Sequence, residues 1–257
     1  MNLGSQSRTA LFEFLLRLGD DRLVLGHRLS EWCGHAPVLE EDIALTNIAL
    51  DEIGQASAFL HLAGEVEAKH RTEDDLAYFR EATHFRNVQF VEQPNGDFAF
   101  TVTRQFLFDT YDYLLLDELQ KSSYVHLAGI AAKGFKEATY HLRHSKEWML
   151  RLGDGTEESH RKVQDAVNNL WRFTGELFLF DEIERGLAAQ GIIPNFENLE
   201  SHWREIVSTL LSSATLALPP DTTHYVSGSR KGKHSEHLGH LLAEMQILAR
   251  SYPDARW

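Results

Sequence analysis

The amino-acid sequence predicts an all-α fold, a four-helix bundle followed by accessory C-terminal helices. Apolar residues recur at three- and four-residue spacing through long stretches, which is typical of amphipathic helices. Only six prolines occur in the 257 residues, and none lies between Pro94 and Pro194, so long helices are permitted there. Asn95-Gly96, a dipeptide typical of β-hairpin turns, is followed by a helical pattern instead. We therefore predict one helical domain over residues 1–257.

The four bundle helices come first in the chain. They are expected over about residues 11–33, 40–68, 98–120 and 124–151. Gly34 to Pro37 interrupts the first pair, and the turn-forming run Gln93 to Asp97 precedes the second pair. Short connections of this kind favour antiparallel neighbours in a bundle.

Three accessory helices follow the bundle. They are expected over about residues 157–189, 196–212 and 234–251. Thr156 offers an N-cap to the first of them, and Gly191 with Pro194 ends it. A Ser-, Gly- and Lys-rich run precedes the last helix, and its basic residues Arg230, Lys231 and Lys233 are predicted to lie in a solvated flexible loop, with docking of an acidic partner or a CoA phosphate as the alternative.

Composition narrows the class of protein. Acidic residues number 38 against 25 basic ones, a formal net charge of −13, so a nucleic-acid partner is not expected. One cysteine cannot form an intramolecular disulfide, and Cys33 is predicted to be a small buried apolar residue. The sequence has neither a secretory signal pattern nor an apolar run of the roughly 20 residues that a membrane span requires. We expect a cytoplasmic protein that does not bind membranes.

Each predicted bundle helix carries one ionisable residue within its inward stripe. These residues are Arg22, Glu52, Asp109 and His141. An uncompensated buried charge is strongly disfavoured, so we expect these side chains to meet one another, bind an ion or face a water-filled cleft. One charged residue per long helix also arises by chance, and that reading stays open.

Carboxylates and histidines that point inward from four helices are the donors of di-iron carboxylate sites, in which two helices each supply a Glu-x-x-His pair. Here Glu52 is followed by Gln55 at the histidine position, and His141 is preceded by Ala138 at the glutamate position. Arg22 places a fixed positive charge in the stripe. The pattern indicates a bundle whose metal site is lost and whose guanidinium pairs with Glu52 and Asp109.

Five segments in order resemble the C subunit of the bacterial phenylacetyl-CoA epoxidases, and the likeness covers nearly the whole chain. The segments are Ser30–Pro37, Val91–Phe98, Lys136–Arg143, Leu170–Thr174 and His234–Gly239. The resemblance implies a ferritin-like fold. It also implies that the six ligand positions of the related catalytic subunit fall on Arg22, Glu52, Gln55, Asp109, Ala138 and His141, so that three match and three depart.

The resemblance further implies a non-catalytic structural subunit of aerobic phenylacetate degradation, without a cofactor of its own. It would pack against a di-iron catalytic subunit, alongside other epoxidase subunits, while NADPH supplies electrons through a reductase that holds flavin and an iron–sulfur cluster. The signature residues His234, Glu236 and His237 are expected to contact a partner or to cap a helix rather than to bind metal.

Two other functions remain open from the sequence. The chain could be a metal-dependent ferritin-like oxidase or iron-binding protein with an atypical ligand set that recruits Asp51 or Glu137. It could also be a free-standing module that binds acyl-CoA. Iron content and calorimetry distinguish these functions from a structural role.

Overall fold

The structure is a computed structural model that describes residues 4–220, 225–253 and 255. These residues form ten α-helices and three short 3-10 helices, with no β-strand among them. The all-α class predicted from the sequence is confirmed. Within the same residues, no helix combines the length and the apolar character needed to cross a bilayer.

The helices follow one another in the expected order. The first four are α1 (Ser5–Ser30), α2 (Leu39–Glu67), α3 (Glu73–Tyr78) and α4 (Gln89–Glu92). The next three are α5 (Phe98–Leu119), α6 (Val125–Gly153) and α7 (Glu157–Thr174), and the last are α8 (Glu182–Ala189), α9 (Leu199–Ser213) and α10 (Glu236–Ser251). The four long helices α1, α2, α5 and α6 match the predicted bundle helices within a few residues, except at the start of α1, which begins earlier.

The predicted helix over residues 157–189 is divided in the structure. A 3-10 helix, Gly175–Phe178, follows α7, and no helix covers residues 179–181 before α8 begins. At Gly175 a Cβ atom would lie 2.5 Å from Cγ of Tyr225, so the backbone approaches that ring closely. The backbone leaves helical geometry at Leu179, where ψ is 80°, and the apolar periodicity does not reveal this change.

The described chain divides into two compact units. One comprises the described residues of Met1–Pro94, Glu182–Leu187 and Ser227–Trp257, and the other those of Asn95–Asp181 and Ala188–Val226. The first therefore holds α1 to α4 and α10, and the second holds α5, α6, α7 and α9. The single domain predicted over residues 1–257 stays a prediction.

In the first unit, α1 and α2 form a closely packed antiparallel pair. Cβ atoms added at Gly19 and Gly26 of α1 would each lie 2.8 Å from a side chain of α2, that of Leu60 and that of Ile53 respectively. The partner residue moves toward the start of α2 as the chain advances along α1, which defines the antiparallel direction. Glycines at both positions allow the helix backbones to approach.

In the second unit, aromatic side chains join α9 to α5 and α7. Nε1 of Trp203 donates a hydrogen bond to the carbonyl oxygen of Leu107, at 2.9 Å. The rings of Trp203 and Trp171 lie 5.5 Å apart between centroids, and that of Phe178 lies 5.3 Å from Trp203. Such ring pairs add to the stability that area burial alone provides.

Candidate functional site

Two of the predicted site residues bind each other across α1 and α2. Nε of Arg22 donates to Oε1 of Gln55 at 2.9 Å, and Nη1 donates to the carbonyl oxygen of Leu18 at 3.0 Å. The guanidinium also lies 4.8 Å from the centre of the Phe59 ring. Arg22 is 1% exposed and Gln55 is 3% exposed. Arg22 therefore points into the core, as the sequence predicts.

Glu52 is buried on the same face of α2 as Gln55, one turn earlier. The close approach of α1 fixes its surroundings, because a Cβ atom at Gly26 would lie 3.2 Å from Cβ of Glu52. A carboxylate removed from water in this way requires electrostatic or hydrogen-bonding compensation. The inward direction predicted for Glu52 is correct.

The second unit holds the other predicted positions, on α5 and α6. Asp109 accepts a hydrogen bond from Oγ of Ser145 at 2.7 Å, and Nε2 of Gln105 lies 3.4 Å from its other oxygen. His141 and Ala138 are both buried, and His141 lies one turn before Ser145 on α6. Ser145 is thus a direct partner of the Asp109 carboxylate.

These residues do not fit the six-ligand pattern that the resemblance implies. Glu52, Asp109 and His141 carry metal-binding atoms, but Ala138 carries none, and Arg22 places a guanidinium where a carboxylate is required. The neutral amide of Gln55 is already the acceptor of that guanidinium.

Glu137 and Asp51, the neighbouring acids considered as replacement ligands, do not complete the six-ligand pattern. Nζ of Lys133 lies 3.5 Å from Oε1 of Glu137, one turn away on the exposed side of α6. Asp51 is only half-buried on α2. Asp51 precedes Glu52 and Glu137 precedes Ala138 by one residue, which turns each acid about 100° around its helix from the buried position.

A second cluster of buried polar residues lies in the first unit, and sequence reasoning missed its centre, Arg28. Its Nε donates to the carbonyl oxygen of Glu92 at 3.1 Å and its Nη2 to that of His237 at 3.1 Å. Its Nη1 donates to Oε1 of Glu31 at 2.7 Å. Three of the signature segments therefore meet at one guanidinium, although Arg28 itself lies just outside them.

Glu92 connects two of these segments through its side chain. Its Oε1 accepts from Nδ2 of Asn87 at 2.9 Å and lies 2.6 Å from Nδ1 of His234. Its Oε2 accepts from the backbone N–H and Oγ of Ser235, at 2.8 and 2.5 Å. The other ring nitrogen of His234 lies 3.1 Å from the carbonyl oxygen of Phe85. This carboxylate thus attaches the start of α10 to α4.

Two consecutive aspartates of α1 extend the cluster. Both carboxylate oxygens of Asp20 accept hydrogen bonds from the guanidinium of Arg80. Both carboxylate oxygens of Asp21 accept hydrogen bonds from the guanidinium of Arg230, at 2.8 and 3.0 Å. Oδ1 of Asp21 also accepts the backbone N–H of Val88 at 2.8 Å. Burial raises the pKa of Asp21 above its ordinary value, and the charge of Arg230 opposes that rise. Paired guanidinium–carboxylate contacts of this kind are among the stronger polar interactions in proteins.

The prediction that the basic residues lie in a solvated flexible loop is wrong for Arg230. For Lys231 and Lys233, the predicted exposure to solvent is correct. Arg230 is bound to α1, while both lysines are exposed. Gly232 has φ +81°, and a Cβ atom there would lie 2.4 Å from the carbonyl oxygen of Thr83. The run is therefore held against the first unit by a specific ion pair and a close backbone contact.

The signature histidines have different environments. The His234 side chain is 5% exposed and is used within the chain, whereas Glu236 is exposed and His237 is half-buried. Ser235, not His234, is the N-cap residue of α10. Contact of Glu236 and His237 with a partner stays a prediction.

Cys33 is exposed, which corrects the prediction of a small buried residue. Helix α1 ends at Ser30, and residues 31–35 form turns whose side chains mostly face solvent. The apolar periodicity of α1 therefore does not extend to Cys33.

Comparison with known proteins agrees with the resemblance. A family model described as phenylacetic acid catabolic protein matches residues 2–257. The chain is 49% identical over 247 residues to the Escherichia coli (strain K12) protein named as the C subunit of 1,2-phenylacetyl-CoA epoxidase, and the match covers 96% of this chain and 99% of that protein. With the ten helices described above, the match confirms the predicted ferritin-like, all-α class.

Proposed function

The chain belongs to the phenylacetic acid catabolic protein family, and from this premise we propose that it is a non-catalytic structural subunit of a cytoplasmic phenylacetyl-CoA epoxidase. In this role it packs against a di-iron catalytic subunit and supports its folded state. It holds no metal of its own, and oxygen chemistry takes place in its partner. The name of the E. coli relative supports the assignment to the complex.

The observation that carries the non-catalytic role is the hydrogen bond between Arg22 and Gln55. Both residues occupy positions that the resemblance assigns to metal ligands, and they bind each other instead. Like unit charges 4 Å apart repel by about 4 kcal/mol at an effective dielectric constant of 20. A buried guanidinium at this position therefore opposes the binding of a divalent cation beside it.

The same pair has a structural function that requires no metal. Arg22 joins α1 to α2 through Gln55 and covers the Phe59 ring with its guanidinium. The positive charge also compensates nearby carboxylates, including Asp21, on whose pKa it acts. A protein with such a core can fold before and without iron.

Exposed apolar side chains on α2 support a role in binding another subunit. Leu39, Ile43 and Leu50 are 72%, 54% and 61% exposed. Their spacing of four and seven residues places them on one face of the helix. Permanent subunit interfaces are apolar at their centre and usually bury more than about 2,000 Å², so this stripe suits the catalytic subunit as its occupant.

The test combines co-purification with metal analysis. The chain and the catalytic subunit are co-expressed with an affinity tag on one of them, and their co-purification is measured. In a separate experiment, each protein is reconstituted on its own with Fe(II) under argon. We expect the two to co-purify in a fixed ratio and only the catalytic subunit to retain iron. Leu50→Asp should weaken co-purification, whereas Leu50→Met, which keeps the surface apolar, should not.

Two outcomes would contradict the proposal. About two bound irons per chain in the isolated protein would identify a metal-dependent oxidase or iron-binding protein with an atypical ligand set. Saturable binding of phenylacetyl-CoA by the isolated chain in calorimetry, without co-purification of the catalytic subunit, would identify an acyl-CoA-binding module.

A further inference from the structure

A cavity of about 470 Å³ lies between α3 and the end of α10, within the first unit. Three aromatic side chains, Tyr78, Phe79 and Tyr252, line it together with the apolar side chains of Met245 and Leu248. Asp74 is the one charged residue among its described lining residues. The volume lies within the range of about 300–1,000 Å³ that is usual for small-molecule sites.

Asp74 is exposed at the cavity. Among the described residues, none forms a hydrogen bond or ion pair with Asp74. Arg250 of α10 has other partners: its Nη1 donates to Glu81 at 2.9 Å and its Nε to the carbonyl oxygen of Tyr78 at 3.1 Å. Within the described part of the chain, the charge of Asp74 therefore has no cationic partner.

The charge of Asp74 also acts on the cavity wall. The pKa of Tyr78 lies above its ordinary value because the phenol is partly buried and because the Asp74 carboxylate disfavours a second negative charge. An anionic ligand would meet the same repulsion. A neutral apolar ligand would bury the carboxylate without compensating it.

We propose that this cavity binds a small organic cation, an ammonium group carried on an apolar body. The ammonium pairs with Asp74, and the aromatic side chains attract the cation through their π electrons. The apolar body contacts Met245 and Leu248. This site is separate from the residues that support the proposed structural role and does not rest on that role.

The experiment compares three probes of equal aromatic size. Titrations of the full chain with 2-phenylethylammonium, neutral 2-phenylethanol and anionic phenylacetate are followed by NMR at low ionic strength. We expect saturable binding of the ammonium, at least threefold weaker binding of the alcohol and no binding of phenylacetate. Equal binding of ammonium and alcohol, preference for phenylacetate, or no saturation by the ammonium would overturn the proposal.

Variants separate the charge from the rings. Asp74→Asn should weaken ammonium binding about threefold to fivefold, the range expected for a partly exposed ion pair, and leave binding of the alcohol unchanged. Asp154→Asn, which removes an exposed carboxylate of the other unit, should change neither. Tyr252→Leu should weaken ammonium binding severalfold, whereas Tyr252→Phe should preserve it. An ammonium preference that survives Asp74→Asn would contradict the assigned role of this carboxylate.

Discussion

Three consecutive buried charges on α1 show how single residues organise the first unit. Asp20, Asp21 and Arg22 are each at most 1% exposed. Successive residues of a helix point about 100° apart, so each side chain faces a different neighbour. Asp20 meets Arg80, Asp21 meets Arg230, and Arg22 meets Gln55. This part of α1 is therefore packed in three different directions, and each of its charges has a partner on another segment.

The first prediction concerns Arg22. Arg22→Glu replaces a cation that binds Gln55 with a buried carboxylate, and loss of a buried charge partner typically costs about 3–5 kcal/mol. We expect the free energy of unfolding of the isolated chain, measured in urea, to fall by that amount. Arg8→Glu, at an exposed position of the same helix, should change it by less than about 0.5 kcal/mol. Equal stability of both variants would place Arg22 outside the core.

Sequence reasoning found Arg22 but missed its two neighbours, for a physical reason. Arg22 falls on an apolar stripe, and a charge there stands out against the helical pattern. In the sequence, Asp20 and Asp21 look like the solvent-facing part of the same pattern. The residues that bind them lie 60 and 209 positions away, so local spacing does not reveal that they are buried. The pairing of two distant charges is not encoded in periodicity.

At the scale of elements, helix existence was predictable and helix interruption was not. Apolar spacing and proline positions are local properties, so the four long helices were located within a few residues, apart from the start of α1. The division between α7 and α8 falls at Leu179, where ψ is 80° and the backbone leaves helical geometry, and apolar spacing does not mark this point. Helices α3 and α4 are too short for periodicity to reveal them.

A second prediction tests the packing of α2. A Cβ atom at Gly64 would lie 2.2 Å from the carbonyl oxygen of Arg71, so Gly64→Ala should displace the backbone and lower the free energy of unfolding by about 1–3 kcal/mol. At Gly54, on the exposed face of the same helix, no atom lies within 4 Å. Gly54→Ala should therefore raise stability by about 0.5–1 kcal/mol. Thermal melts of the two variants that shifted in the same direction would refute this explanation.

At the scale of the whole molecule, the first unit is built from segments that are distant in sequence. Residues 227–235 reach α1 through Arg230, α4 through the Glu92 carboxylate and Thr83 through Gly232. The sequence predicted the helices on either side of this run but not its attachment. The attachment relies on buried ion pairs, which no local pattern reveals.

The third prediction tests that attachment. Arg230→Ala leaves the buried Asp21 carboxylate without its guanidinium, so we expect a loss of about 3–5 kcal/mol of stability. Amide hydrogen exchange should accelerate in residues 227–235. Lys231→Ala, next to it and exposed, should alter neither property by a measurable amount. Unchanged exchange in the Arg230 variant would show that the Glu92 and Gly232 contacts hold this run without the ion pair.

The meeting of three signature segments at Arg28 changes how such motifs should be interpreted in related chains. Their polar residues bind one another inside the first unit, so the same segments can persist whether or not a relative performs oxidation. The resemblance assigns the chemical distinction to positions 22, 55 and 138 instead. The resemblance predicts that a relative with a carboxylate, a histidine and a glutamate there has the full set of iron-ligand residues, so we expect those three positions to distinguish supporting from oxidising subunits.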